Sequence, residues 1–137
     1  MVTPSEMHGD APPKRVLLVD DEAPLRAVVA ETLRGEGYVV DEASNGADAI
    51  DRLRAARPDL VLLDLSMPVL DGHGFIEQCL AETGGVEIPI VIVSATPAMP
   101  DASHEMGVKA VLLKPFDLAV LLAMVHRFTR AAGTEGM

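Results

Sequence analysis

The stretch Asp59-Leu60-Val61-Leu62-Leu63-Asp64-Leu65-Ser66-Met67-Pro68-Val69-Leu70-Asp71-Gly72 decides the fold. Four apolar residues, Leu60 to Leu63, run without a polar break and stop at the carboxylate of Asp64. A short apolar run with such punctuation suits a strand buried on both faces. Asp64 then stands at the carboxyl edge of a sheet, where open α/β folds place their chemistry. Pro68 and Asp71-Gly72 signal a tight loop before a helix. Taken alone, Asp64 is also read simply as a surface residue ending a strand.

The flanking sequence repeats the pattern. Arg15 to Val19 is a second buried strand, ending at Asp20-Asp21. Pro24 suits the first turn of a helix, where its missing N–H costs little. Leu25, Val28, Val29 and Leu33 follow at helical spacing, and Gly35 and Gly37 end the helix. Tyr38 to Asp41 reads as a shorter strand with a polar end, at the sheet edge. Ser44 or Asn45 can cap the next helix, whose face carries Ala47, Ile50 and Leu53. After Gly72, the spacing of Phe75, Ile76, Cys79 and Leu80 predicts a third helix, broken by Gly84-Gly85. Ile90 to Val93 is another continuous apolar run, stopping at Ser94. Pro97, Pro100 and Gly107 bracket an irregular segment with room for a short fourth helix. Ala110 to Leu113 is the last strand, ending at Lys114-Pro115. Leu118, Leu121, Leu122, Val125 and Phe128 line a final helix, with Asp117 as its cap.

Five alternations of strand and helix imply a parallel sheet with right-handed crossovers and helices on both faces. At 137 residues the chain makes one domain. We place it at Lys14 to Arg130, between tails at residues 1–13 and 131–137 that lack any periodic pattern. A net charge of −10 argues against nucleic-acid binding through a basic face. No apolar run reaches membrane-spanning length, the N-terminus has no signal-peptide form, and the single cysteine, Cys79, fits a reducing cytoplasm. Cys79 itself reads as a core residue, with no basic group beside it to activate the thiol.

Four strands end in polar groups: Asp20-Asp21, Asp64, Ser94 and Lys114. In a parallel sheet these ends share one edge, so three acids, a hydroxyl and an ammonium can converge. Two carboxylates about 4 Å apart repel by roughly 4 kcal/mol at an effective dielectric near 20. A third worsens this unless a cation enters. Oxygen-only ligands suit Mg²⁺, or Mn²⁺ in its place, and no His/Cys cluster suggests zinc. A carboxylate can also act as a nucleophile and form an acyl phosphate. Phosphoryl transfer needs its equatorial oxygens neutralised, a task for the metal, Lys114 and the Ser94 hydroxyl together.

Val19-Asp20-Asp21-Glu22, Asp64 to Gly72, Val93-Ser94-Ala95 and Lys114-Pro115-Phe116 together resemble the receiver domains of two-component response regulators. The resemblance implies a flavodoxin-like, chemotaxis-type fold: a five-stranded parallel sheet of order 2-1-3-4-5 with five helices. It implies Asp64 as phospho-acceptor from a histidine kinase, a histidine phosphotransfer protein or a small phosphodonor. Asp21 and Asp64 would bind the metal directly, Asp20 through water, and the Ser66 backbone carbonyl would complete the site. Lys114 would pair with the phosphoryl oxygen, Ser94 would move to hydrogen-bond it, and Ala95 would keep the site accessible. Ser66 and Thr96 stand where the family tunes dephosphorylation, and the Lys114–Pro115 bond is expected to be cis.

Two departures stand out. Val111 occupies the switch position where the family usually has Tyr or Phe, and the interval from Ser94 to Lys114 is shorter than usual. The expected function is a phosphorylation-activated signalling switch without an output domain, acting on a partner protein as a monomer or weak dimer. The alternatives are a phosphate sink or relay intermediate, and an interaction module that works without phosphorylation. A haloacid-dehalogenase type phosphatase needs a second acid two residues after the nucleophile, and Ser66 stands there. Beyond its own phosphoryl transfer and self-dephosphorylation, no enzyme activity is expected.

Overall fold

The structure is a computed structural model that describes residues 13–64, 78, 81–82, 88–94 and 108–129. Its centre is a five-stranded parallel sheet: β1 (Arg15–Val19), β2 (Val39–Ala43), β3 (Leu60–Asp64), β4 (Ile90–Ser94) and β5 (Val108–Leu113). The spatial order is β2-β1-β3-β4-β5, with every neighbouring pair parallel. The chain therefore turns one way from β1 to β2 and the other way to β3. This reversal opens a crevice at the carboxyl ends of β1 and β3.

Three helices have residue ranges among the described residues: α1 (Ala23–Gly35), α2 (Gly46–Ala55) and α3 (Leu118–Thr129). Alternate strand residues divide the core in two. Leu17, Val19, Val61 and Leu63 pack with Ala49, Ile50 and Leu53 of α2. Val16, Leu18, Leu60 and Leu62 pack on the other face with Val29, Ala30 and Leu33 of α1 and Leu121 and Val125 of α3. Every residue of β3 and β4 is buried, as their unbroken apolar runs require.

Asn45 caps α2, its side-chain oxygen accepting from the Asp48 N–H at 2.8 Å. Asp117 accepts from the Ala119 N–H at 2.8 Å at the start of α3. Pro24 lies in the first turn of α1, and that helix closes through Gly37, whose φ of 97° a side chain rarely tolerates.

Several boundaries and faces differ from expectation. β2 starts after Tyr38 and runs on to Ala43, because all five of its residues pair with β1. β5 starts at Val108, and a register irregularity between Ile90 and Val91 lets the longer strand pair with β4. Val28, expected on the buried face, is 49% exposed, and Ala47 is also exposed. Val29 is buried as expected, and Ala30 and Ala49 are buried in addition. Of the expected third helix, Gln78, Ala81 and Glu82 are described and are helical; the rest of it, the expected fourth helix, Cys79, residues 1–12 and residues 130–137 lie outside the described residues.

On the outer strand β2, Arg15 Nη1 meets Asp41 Oδ2 at 2.7 Å. Glu42 is held by both Arg26 and Arg34, each at 3.2 Å.

Candidate functional site

Four adjacent strands bring their carboxyl ends to the crevice. Asp20 follows β1 directly. Its N–H donates to the Ala43 carbonyl at 3.0 Å, and its carbonyl accepts from Arg26 Nη1 at 2.7 Å. One Asp20 carboxylate oxygen accepts from the Glu22 N–H at 2.9 Å. The side chain is thereby fixed at the start of α1 while staying 5% exposed. Asp21 is exposed beside it.

Asp64 is the last residue of β3 and is 1% exposed. It pairs in register with Val93, which sets buried Ser94 one position further along β4. Ser94 pairs with Leu113, and its carbonyl accepts from the Lys114 N–H at 2.8 Å. That contact anchors the Lys114 backbone just beyond β5. The Lys114 ammonium then reaches back across β4 to donate to Asp64 Oδ2 at 3.2 Å and to Glu22 Oε1 at 3.1 Å. The Lys114–Pro115 peptide is cis, as expected.

One carboxylate oxygen from each of Asp20, Asp21 and Asp64 lies within 4.8 Å of the others. Burial, and to a lesser degree this crowding, bears on the charge of Asp20. Burial pushes its carboxyl up to about 6, against the lowering effect of the Glu22 N–H; the Asp64 charge raises it further and the Lys114 charge lowers it. Burial works against the charge on Lys114. The Glu22 hydrogen bond and the Asp64 and Asp20 charges outweigh it, so the ammonium holds its proton more tightly than usual. Among the described residues, three carboxylates with no nitrogen or sulfur ligand beside them form a hard oxygen donor set, and a divalent ion such as Mg²⁺ would relieve their repulsion. The arrangement fits that metal.

The structure thus brings together Asp20, Asp21, Asp64, Ser94 and Lys114. Ser66, Ala95 and Thr96 lie outside the described residues. Val111 pairs with Ile92 and is half-buried, packed against the core on the α2 face. Two site contacts were missed from sequence: Glu22 on Lys114, and Arg26 on the Asp20 carbonyl. Their signal was positional. Residues that follow a strand-ending acid pair and open a helix face the same crevice.

The profile of the response regulator receiver domain family matches residues 16–126. The transcriptional regulatory protein PrrA of Mycobacterium leprae is 37% identical over 121 residues, 87% of this chain and 51% of PrrA. The chain therefore spans about half the length of that relative. The Vibrio cholerae chemotaxis protein CheY4 superposes with a TM-score of 0.77 at 29% identity, covering 85% of this chain and 98% of CheY4. The receiver domain of the sensor histidine kinase PA1611 from Pseudomonas aeruginosa superposes with a TM-score of 0.74 at 29% identity, over 85% of this chain and 98% of its own. That structure has a magnesium ion coordinated in its active-site cleft. With the sheet order, the acid cluster and the family profile in agreement, this chain belongs to the response regulator receiver domain family.

Proposed function

We propose that the chain is a phosphorylation switch in which Asp64 accepts a phosphoryl group from the phosphohistidine of a histidine kinase or a histidine phosphotransfer protein. The observation that carries this reading is the 3.2 Å contact between Lys114 Nζ and Asp64 Oδ2 beside the Asp20 and Asp21 carboxylates. It sets a buried nucleophile between a fixed cation and a metal-type donor set.

In the step, an Asp64 carboxylate oxygen attacks phosphorus and an O–P bond forms. The P–N bond to the donor imidazole breaks, and its electron pair returns to the ring nitrogen. The product is an acyl phosphate on Asp64. Lys114 pairs with a phosphoryl oxygen, and the Ser94 hydroxyl donates to another. Asp21 and Asp64 would hold Mg²⁺, with Asp20 helping through water and the Ser66 carbonyl completing the set. When bound, the ion neutralises charge on the transferring group. As the family resemblance implies, Ala95 would leave room for that group, Thr96 and Ser66 would tune its loss, and Pro115 would support Lys114. Hydrolysis of the acyl phosphate returns the carboxylate and inorganic phosphate, so the switch times itself.

The domain that carries this chemistry is residues 14–130. We read it as cytoplasmic; no helix among the described residues is long and apolar enough to cross a membrane. The modified form binds or releases a partner protein, through a surface in which Val111 replaces a bulkier aromatic switch.

Intact mass after incubation with Mg²⁺ and acetyl phosphate tests the reading. One phosphate adduct is expected, absent from Asp64→Asn and from a metal-free sample. No adduct, either with acetyl phosphate or with a phosphorylated histidine donor, overturns it in favour of a module that works without phosphorylation.

A further inference from the structure

Lys114 is a shared ammonium. It stands 3.2 Å from an oxygen of Asp64 and 3.1 Å from one of Glu22, and an ammonium has three protons to give. The two acceptors sit in different media. The Asp64 side chain is 1% exposed, whereas that of Glu22 is 59% exposed.

Glu22 is held where it can do this. Its N–H is fixed by the Asp20 carboxylate at 2.9 Å, and its carbonyl accepts the Arg26 N–H at 2.9 Å. It occupies the N-cap position of α1, yet its side chain makes no capping hydrogen bond. Among the described residues, the partner of that side chain is Lys114. The carboxylate is therefore released from the usual duty of its position and aimed at the site lysine.

We propose that Glu22 is a positioning residue that parks the Lys114 ammonium, so that Asp64 can open to a divalent cation. The proposal rests on the phosphorylation reading for its purpose, since an open Asp64 is what metal-assisted transfer requires. A lysine clamped on Asp64 Oδ2 competes with the cation for the charge of that carboxylate. Glu22 already holds it at 3.1 Å, so a lysine that leaves Asp64 keeps a carboxylate partner. An exposed ion pair is weak enough to break when a phosphoryl group, with more charge than the carboxylate it replaces, competes for the lysine. The exposed arm is also the one that salt screens. Rising ionic strength therefore shifts Lys114 from Glu22 towards Asp64.

Two measurements test this. The first is Mg²⁺ affinity by titration calorimetry for the wild type, Glu22→Gln, Lys114→Met and the double variant. Glu22→Gln is expected to weaken Mg²⁺ binding severalfold when Lys114 is present and by less than about twofold when it is replaced. An equal loss in both backgrounds overturns the proposal, because Glu22 would then act as a plain charge. Phosphorylation by acetyl phosphate should show the same split: a higher Mg²⁺ requirement with an unchanged rate at saturation. The second needs no metal and no phosphate. The Lys114 side-chain NMR signal should move with added salt in the wild type and stay still in Glu22→Gln, with Glu31→Gln behaving as wild type. A signal indifferent to salt in all three overturns the proposal. Failure of phosphorylation alone leaves the lysine's partition between its two carboxylates intact, which separates the two readings.

Discussion

The Tyr38 hydroxyl lies 2.6 Å from His126 Nδ1, joining the start of the edge strand to the last turn of α3. The same hydroxyl is 3.2 Å from Thr129 Oγ1, which in turn is 2.7 Å from the Val125 carbonyl. Three contacts share few protons. If Tyr38 donates to His126, Thr129 must choose between Tyr38 and Val125. If Nδ1 carries a proton, each link is filled: His126 donates to Tyr38, Tyr38 to Thr129, and Thr129 to Val125. The tautomer with its hydrogen on Nδ1 thus fills all three links. Tyr38→Phe keeps the buried ring and removes the link. It is expected to cost about 1–2 kcal/mol in urea unfolding. His126→Ala should add little once Tyr38→Phe is present, because both break one relay.

Asp20 gives metal-free stability a particular pH dependence. Its carboxyl is raised from 3.8 to about 6 in the folded chain, first by burial. The fold therefore favours the protonated form. The penalty is absent below the unfolded value, grows as pH rises through the folded value, and is complete above it. In EDTA at pH 7.5, Asp20→Asn should be more stable than wild type by about 1–2 kcal/mol, since solvent at the crevice screens part of the cost. The advantage should vanish near pH 4. Added Mg²⁺ should reverse the order at pH 7.5, because only the carboxylate brings a negative charge to the cation and its water.

Lys114→Met removes the cation beside Asp64 while keeping much of the side-chain volume. Metal-free unfolding should fall by about 1–3 kcal/mol, the cost of leaving a buried charged acceptor poorly paired. Mg²⁺ should then stabilise the variant more than it stabilises wild type, since the metal no longer competes with the ammonium. Chemical denaturation with and without Mg²⁺ measures both.

Exposure separates two valine and leucine positions that look alike in sequence. Leu63→Ala, at a fully buried site in β3, should cost about 2–5 kcal/mol. Val28→Ala, at a site 49% exposed, should stay within about 0.5 kcal/mol. Asn45→Ala should cost about 1 kcal/mol through loss of the α2 cap, and Asn45→Asp should restore it.

The strands that run through the middle of the sheet were the easiest to read. Leu60 to Leu63 and Ile90 to Val93 are apolar without interruption because neighbours cover both faces, and their ends locate Asp64 and Ser94. The helical faces were read less well. In α1, Val28 and Val29 both fit an apolar stripe, and only packing against the sheet and α3 decides that Val29 turns inward. The edge strand was misjudged at both ends, since Asp41 and Glu42 look like a stop when their arginine partners are not visible. Those partners, Arg15, Arg26 and Arg34, come from β1 and α1. The Lys114–Glu22 and Tyr38–His126 contacts join residues 92 and 88 positions apart. No local pattern encodes such pairs, so they emerge only when the sheet order is known.

The charges on β2 bear on how copies of this protein meet. An outer strand offers a row of backbone donors and acceptors to any passing extended segment. Here its third and fourth residues, Asp41 and Glu42, are ionic and tethered to arginines. Another chain could add to this edge only by bringing its own backbone and side chains against that fixed pattern of charge. The acid-and-arginine fence thus guards against strand addition and fibrous self-association at the edge farthest from β5.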